Sequence, residues 1–180
     1  GGNYRRESIM KIVFMGSESV PFIKTGGLAD VLGSLPKALA QKGNDVSVFI
    51  PLYGKIKPEF REKMEYVGAF FVDLDWRRQH VGVFKYSIDG VDYFFIDNEY
   101  YFNRNGIYGE IDDGERFVYF SRACVQALKF LNLKADIVHA NDWHTGLVPI
   151  YIKEYAKGDS FYSGIKSVYT IHNICLLYTS

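Results

Sequence analysis

Three short clusters in this 180-residue sequence carry residue types that can do chemistry. The first, Lys24-Thr25-Gly26-Gly27, sets a cation directly before paired glycines, and a carboxylate follows at Asp30. Glycines at a helix start let the backbone approach an anion closely. Free amides there donate hydrogen bonds, and the helix dipole adds partial positive charge. A phosphate is the natural guest; a glycine turn beside a surface lysine is the plainer alternative. The pattern is neither a dinucleotide Gly-x-Gly-x-x-Gly nor a Walker A loop, because the lysine precedes the glycines, so NAD chemistry and ATP hydrolysis are disfavoured.

The second cluster is Asn141-Asp142-Trp143-His144 and the third His172-Asn173. His139 and His144 find no third ligand at a recognisable spacing, so no metal site is expected. Asp30 and Asp142 could form a carboxylate pair of the glycoside-hydrolase kind, but hydrogen bonding to hydroxyls is the better use of two acids on separate loops. A buried Asp or His that merely caps a loop is the bland reading of either. The stretch 100–109, YYFNRNGIYG, includes Tyr108 and mixes aromatic rings with side-chain amides and glycines. It suits stacking on sugar rings as well as ordinary packing.

These clusters follow strand-like runs. Residues 11–15 (KIVFM) and 46–50 (VSVFI) are short β-favouring apolar segments, and between them Leu28, Val31, Leu32, Leu35 and Leu39 recur at helical steps before Gly43-Asn44 closes the helix. Pro36 lies inside that helix, where a proline costs roughly 3 kcal/mol, so a kink or restart is expected. The βαβ unit implies a parallel sheet with a right-handed crossover. The runs 69–75, 81–88 and 91–96 read as an antiparallel extension, the last two joined by the hairpin dipeptide Asp89-Gly90. Helical periodicity returns over 117–131 behind Asp112-Asp113, then a strand at 136–140, a helix at 146–156 and a strand at 166–171. The alternation is that of a doubly wound, mostly parallel Rossmann-like α/β domain with a β-hairpin extension. In such sheets ligands bind beyond the carboxyl ends of the strands, where all three clusters fall.

Composition narrows the partners. Lys plus Arg equals Asp plus Glu at 21 each, so no broad positive field is available for nucleic acid or an anionic membrane surface. Apolar runs are strand-length, Arg5-Arg6 is followed only by Ile9-Met10 before Lys11, and the two cysteines, Cys124 and Cys175, form no framework. A cytoplasmic, reducing location is expected.

Taken together, the motifs 24–31 (KTGGLADV), 139–147 (HANDWHTGL) and 169–173 (YTIHN), with 97–102 and 106–109 between them, resemble the bacterial glycogen synthase and starch synthase family in order and spacing over about 10–173. The resemblance implies the N-terminal, acceptor-side half of a GT-B glycosyltransferase, whose two Rossmann-like domains face each other across the active-site cleft. It implies transfer of glucose from ADP-glucose to the non-reducing end of an α-1,4-glucan, with retention of configuration and without metal or cofactor; ADP-glucose is a substrate. Carried onto this sequence, Lys24, Gly26 and Gly27 would lie near the donor diphosphate, and Asp30 and Asp142 would hold sugar hydroxyls. His172 and Asn173 would line the glucosyl pocket, Tyr108 is a further contact, and His144 belongs to the motif with a structural role first. Rival readings are another GT-B transferase using a different nucleotide sugar, and a non-catalytic glucan- or nucleotide-binding module. The family's nucleotide-base site belongs to a C-terminal domain missing from this sequence, so the chain is expected to be inactive alone. Residues 1–9 read as a non-native leader, 10–173 as the domain, and 174–180, which depart from the family pattern, as a non-native tail.

Overall fold

The computed structural model describes residues 9–172. The Asn173 expectation, Cys175 and the expected tail lie outside the described residues, as does the leader apart from Ile9.

The chain runs β1 (Lys11–Met15), α1 (Gly27–Gln41), β2 (Asp45–Pro51), α2 (Pro58–Arg61), β3 (Glu65–Leu74), β4 (Arg77–Ile88), β5 (Val91–Asp97), α3 (Glu99–Phe102), α4 (Asp113–Phe130), β6 (Ile137–Asn141), α5 (Val148–Ala156) and β7 (Lys166–Thr170), with single 3-10 turns at Trp143–Thr145 and Ser160–Tyr162. The strands form one seven-stranded sheet in the order β3-β4-β5-β2-β1-β6-β7. β5, β2, β1, β6 and β7 are mutually parallel, and β3 and β4 extend that core as an antiparallel hairpin. The chain builds outward from β1 through β2, then returns to lay β6 on the other side of β1. The switch point between β1 and β6 is where an open α/β sheet opens a crevice.

Patterning explains the layers. In β1 and β2 nearly every residue is buried, as helices on both faces of a parallel sheet require. Val13, Phe14, Met15, Val48, Phe49 and Ile50 make the centre of the core. The β4–β5 turn places both Asp89 (φ 54°) and Gly90 (φ 77°) in the left-handed region, which is why an Asp-Gly pair sits there. β4 begins earlier than its apolar run suggests because the polar 77–80 segment pairs with 71–74 across a tight turn, and β3 because 65–68 pairs with 83–85.

Helix α1 passes through Pro36 as one span, without the expected restart. Proline lacks the N–H that would bond the carbonyl of Leu32, one turn earlier. That carbonyl instead accepts the phenol proton of Tyr93 from β5, at 3.1 Å and fully buried. The sheet thus supplies the donor that the helix lacks, and burial raises the Tyr93 phenol above its ordinary pKa. Tyr93→Phe should therefore cost about 1–3 kcal/mol by urea denaturation. In a Pro36→Ala background, which restores the helical N–H, the same change should cost clearly less; equal costs would remove this account of the helix.

Candidate functional site

The loop between β1 and α1 is held rigidly. Phe22 inserts among Phe60, Tyr86, Tyr93 and Phe95 with ring centroids 4.9–5.7 Å away. A one-turn bridge joins Ser19 and Ile23, Val20 N–H donates to the Ala29 carbonyl at 3.0 Å, and the Val20–Pro21 peptide is cis. This anchoring fixes Glu18, which is only 2% exposed. Its carboxylate accepts the amides of Thr25 at 2.9 Å and Gly26 at 3.1 Å, together with the Thr25 hydroxyl. An acid of the protein itself therefore occupies the first amides of the expected anion site.

The rest of that motif stays open. No side chain caps α1, and the amides of Gly27, Leu28 and Ala29 have no carbonyl one turn back in the helix to bond. A Cβ added at Gly27 would meet nothing within 4 Å, and one at Gly26 only Glu18, at 3.8 Å. Neither glycine has a positive φ, so the backbone conformation does not require glycine at either position. Lys24 reaches Asp30 one turn into α1, its Nζ 2.7 Å from Oδ2, with both side chains more than half exposed.

At the other side of the crevice, β6 ends in Asn141 and Asp142. Asp142 has φ 61° and ψ 176°, a conformation nearly confined to glycine that costs on the order of 1–3 kcal/mol. It is 1% exposed. Its Oδ1 accepts the His172 amide at 2.6 Å, while Oδ2 is buried and takes no hydrogen bond among the described residues. Strain and an unsatisfied acceptor thus coincide in one residue. His172 Nε2 lies 3.0 Å from Asn141 Oδ1.

Between the two loops lies a cavity of about 480 Å³, lined by Glu18, Thr25, Gly26, Leu28, Tyr108, Asp142, Trp143, His144, Tyr169 and Ile171. Tyr108 comes to it from the 100–109 stretch, bonded to Ser17 Oγ at 2.6 Å, and burial pushes its phenol well above the ordinary value. His144 lies stacked on Tyr108 at 4.8 Å and edge-on to Phe117 at 4.7 Å. Its Nδ1 is buried without a partner, and desolvation lowers its pKa from 6.5 to about 4. The stretch 100–109 thus divides: Tyr101 and Phe102 are core, Tyr100 is exposed, and Tyr108 reaches the cavity.

The structure therefore brings Gly26, Asp142, Tyr108 and His144 to one cavity, with His172 bonded behind Asp142. It pairs Asp30 with Lys24, and neither belongs to the cavity's lining. Sequence reasoning gave no role to Glu18 and named Asn141 only as part of its motif; for Glu18, the position just beyond the strand-like run 11–15 was the available signal. Among the described residues no group of three or more His, Cys, Asp or Glu side chains is arranged to hold a metal ion. No described helix is long and apolar enough to cross a membrane.

A parallel sheet with an antiparallel hairpin at one edge, and a polar cleft at its switch point, defines the N-terminal half of a GT-B glycosyltransferase fold. The family model described as "Starch synthase catalytic domain" matches residues 11–178, and the chain belongs to that family. It is 55% identical over 165 residues to the glycogen synthase of Finegoldia magna, covering 92% of this chain and 35% of that protein. It is 50% identical over 165 residues to the glycogen synthase of Bacillus subtilis, covering 92% and 34%. Among solved structures, the catalytic domain of Starch Synthase IV from Arabidopsis thaliana bound to ADP and acarbose aligns with a TM-score of 0.84 at 31% identity, over 92% of this chain and 34% of that one. The chain thus spans about a third of the length of the relatives it matches.

His144 gives the site a pH signature. Its proton is bound more weakly in the folded chain than in the unfolded one, so the stability it permits is complete above about pH 6.5 and declines as pH falls toward 4. The loss should approach about 2–3 kcal/mol at the acid end. His144→Phe, which keeps the ring stack and removes the titrating group, should flatten that limb in urea denaturations run across the range; an unchanged slope would show that His144 is not its source.

Proposed function

We propose that this chain is the acceptor-side half of a glucosyltransferase that lengthens an α-1,4-glucan from ADP-glucose with retention of configuration and without a metal cofactor. The observation that carries the reading is the lining of the cavity. Two carboxylates, Glu18 and Asp142, stand among the rings of Tyr108, Trp143 and Tyr169, with no lysine or arginine in the wall among the described residues. Such a surface repels phosphate and suits a neutral ring rich in hydroxyls, which carboxylates accept from and aromatic faces stack on. His144 stays neutral there at physiological pH.

Phosphate has its place at the rim. Lys24 and the open first-turn amides at Gly27 and Leu28 lie outside the acidic wall, so the diphosphate of ADP-glucose sits on the α1 N-terminus with its glucose directed toward Asp142 and His172. In this reading Asp142 Oδ2, left without a partner, accepts a sugar hydroxyl, and its strained backbone holds it to that task. Charge developing on the departing diphosphate is met by Lys24 and the helix terminus, which act more strongly on the transition state than on the bound donor. Asp30, paired with Lys24, keeps the cation in position until a phosphate competes for it. ADP and acarbose on the related Arabidopsis domain support both halves of the assignment.

Two measurements test this reading. Calorimetric titration of the chain should show maltooligosaccharide and ADP-glucose binding separably: Asp142→Asn should weaken the glucan roughly tenfold, about 1.4 kcal/mol, while Lys24→Ala should weaken ADP-glucose several-fold and leave the glucan unaffected. Indifference of both ligands to both substitutions would refute the assignment. The chain spans about a third of the length of its relatives, and in this reading the grip on the nucleotide lies in the remainder, so the purified chain should incorporate no radiolabelled glucose into glycogen; measurable incorporation would overturn the division of labour.

A further inference from the structure

We propose that Asn141 is a positioning residue that fixes the tautomer of His172, keeping Nε2 protonated and presenting Nδ1 as a hydrogen-bond acceptor. Asn141 is fully buried at the end of β6, beside β1. Its side-chain nitrogen lies 3.2 Å from the carbonyl of Met15 and 3.1 Å from that of His139. Only an NH2 group can face two carbonyl oxygens, so the orientation of the amide is decided by its surroundings. The oxygen is then the atom turned to His172 Nε2 at 3.0 Å. An amide oxygen accepts and never donates; Nε2 must carry the proton, and in the neutral ring Nδ1 keeps its lone pair.

The ring is therefore not free to choose. Asp142 Oδ1 holds the His172 main-chain amide at 2.6 Å, so two consecutive residues of one strand end fix both the backbone and the imidazole. The neighbouring groups leave that assignment intact. His139, on the same strand, directs its own Nε2 to Thr170 Oγ1 at 2.7 Å, and its pKa is lowered by burial and by His172. Among the described residues nothing bonds His172 Nδ1. A ring so held accepts a hydrogen bond from a sugar hydroxyl, whereas the opposite tautomer would donate one to it instead. That consequence for the ligand rests on the glucosyl-transfer reading above; the tautomer itself does not.

The experiment is a long-range proton–nitrogen correlation spectrum of the chain labelled with 15N-histidine, at about pH 8, well above the ordinary imidazole pKa of about 6.5. The sequence has four histidines, and His172→Gln identifies the signals of interest. Free imidazole already favours the Nε2 proton, so the decisive readings are a single tautomer, a slowly exchanging Hε2, and a coupling across the hydrogen bond to the side-chain carbonyl carbon of Asn141. Asn141→Ala should abolish the slow exchange and average the two ring nitrogens toward the free-imidazole mixture. Averaged nitrogens in the unsubstituted chain, a proton on Nδ1, or an Asn141→Ala spectrum identical to the parent would each overturn the proposal. Where Asn141→Ala does not fold, the parent chain decides through the exchange rate and the coupling. Maltotriose is then added to the parent chain: a shift of Nδ1 extends the inference to the ligand. A locked tautomer with no response to maltotriose leaves the role of Asn141 standing and counts against the glucosyl site instead.

Discussion

A buried carboxylate held by backbone amides and a hydroxyl organises this site. Glu18 is taken out of water at the end of β1, a transfer that costs several kcal/mol unless hydrogen bonds compensate. The compensation comes from two amides and a hydroxyl of the Thr25–Gly26 turn and from the positive end of α1. The coupling works in both directions: the loop neutralises the acid, and the acid sets where the loop turns and where α1 begins. Everything on the rim, including Lys24 and the open amides of Gly27 and Leu28, inherits its position from that one interaction. Phe22, clamped between four aromatic rings, keeps the turn from relaxing away.

The opposite wall uses strain where the first uses charge. A strand that ended at Asn141 in ordinary geometry would carry the next carboxylate away from the crevice. The positive φ of Asp142 redirects it, with the amide of Asp142 still bonded to the Thr170 carbonyl at 2.8 Å and Thr145 closing back on the carbonyls of Asn141 and Asp142. Those bonds over-determine the turn, which is the condition under which strain persists in a folded chain. β6 and β7 thus end as one unit, so His172 on β7's exit and Asp142 on β6's exit cannot move independently. A rigid half of this kind presents its groups before any partner domain closes, reducing the ordering cost that ligand binding must meet.

The fold was legible wherever one physical signal dominated. Continuous apolar runs marked β1, β2 and β6, three- and four-residue spacing marked α1 and α4, and Asp89-Gly90 marked the hairpin. Legibility failed where a distant group changed the local rule. Nothing near Pro36 announces that Tyr93, 57 positions on, caps the orphaned Leu32 carbonyl. The early starts of β3 and β4 depend on cross-strand partners rather than on their own polar residues. For the site, motif order placed the right loops on the right edge, but not which atoms were already engaged. Glu18 occupies amides that glycine spacing alone leaves free, and Asn141 is tied to Met15 across 126 positions. Hydrogen-bond partners so remote in the chain leave no periodic trace.

Separation of charge along the crevice gives the two loops complementary tasks. An acidic, ring-lined wall and a cationic rim could not exchange places without loss. A lysine inside the cavity would pair with Glu18 or Asp142 and fill the space between the two loops. Lys24 sits at the boundary, and its exposed pairing with Asp30 is the weak kind, worth at most about 1 kcal/mol. Such a pair holds the side chain near its working position yet yields to a doubly charged competitor. A stronger, buried ion pair there would have been too stable to open. The weakness of that contact leaves the Lys24 side chain able to exchange partners beside the crevice.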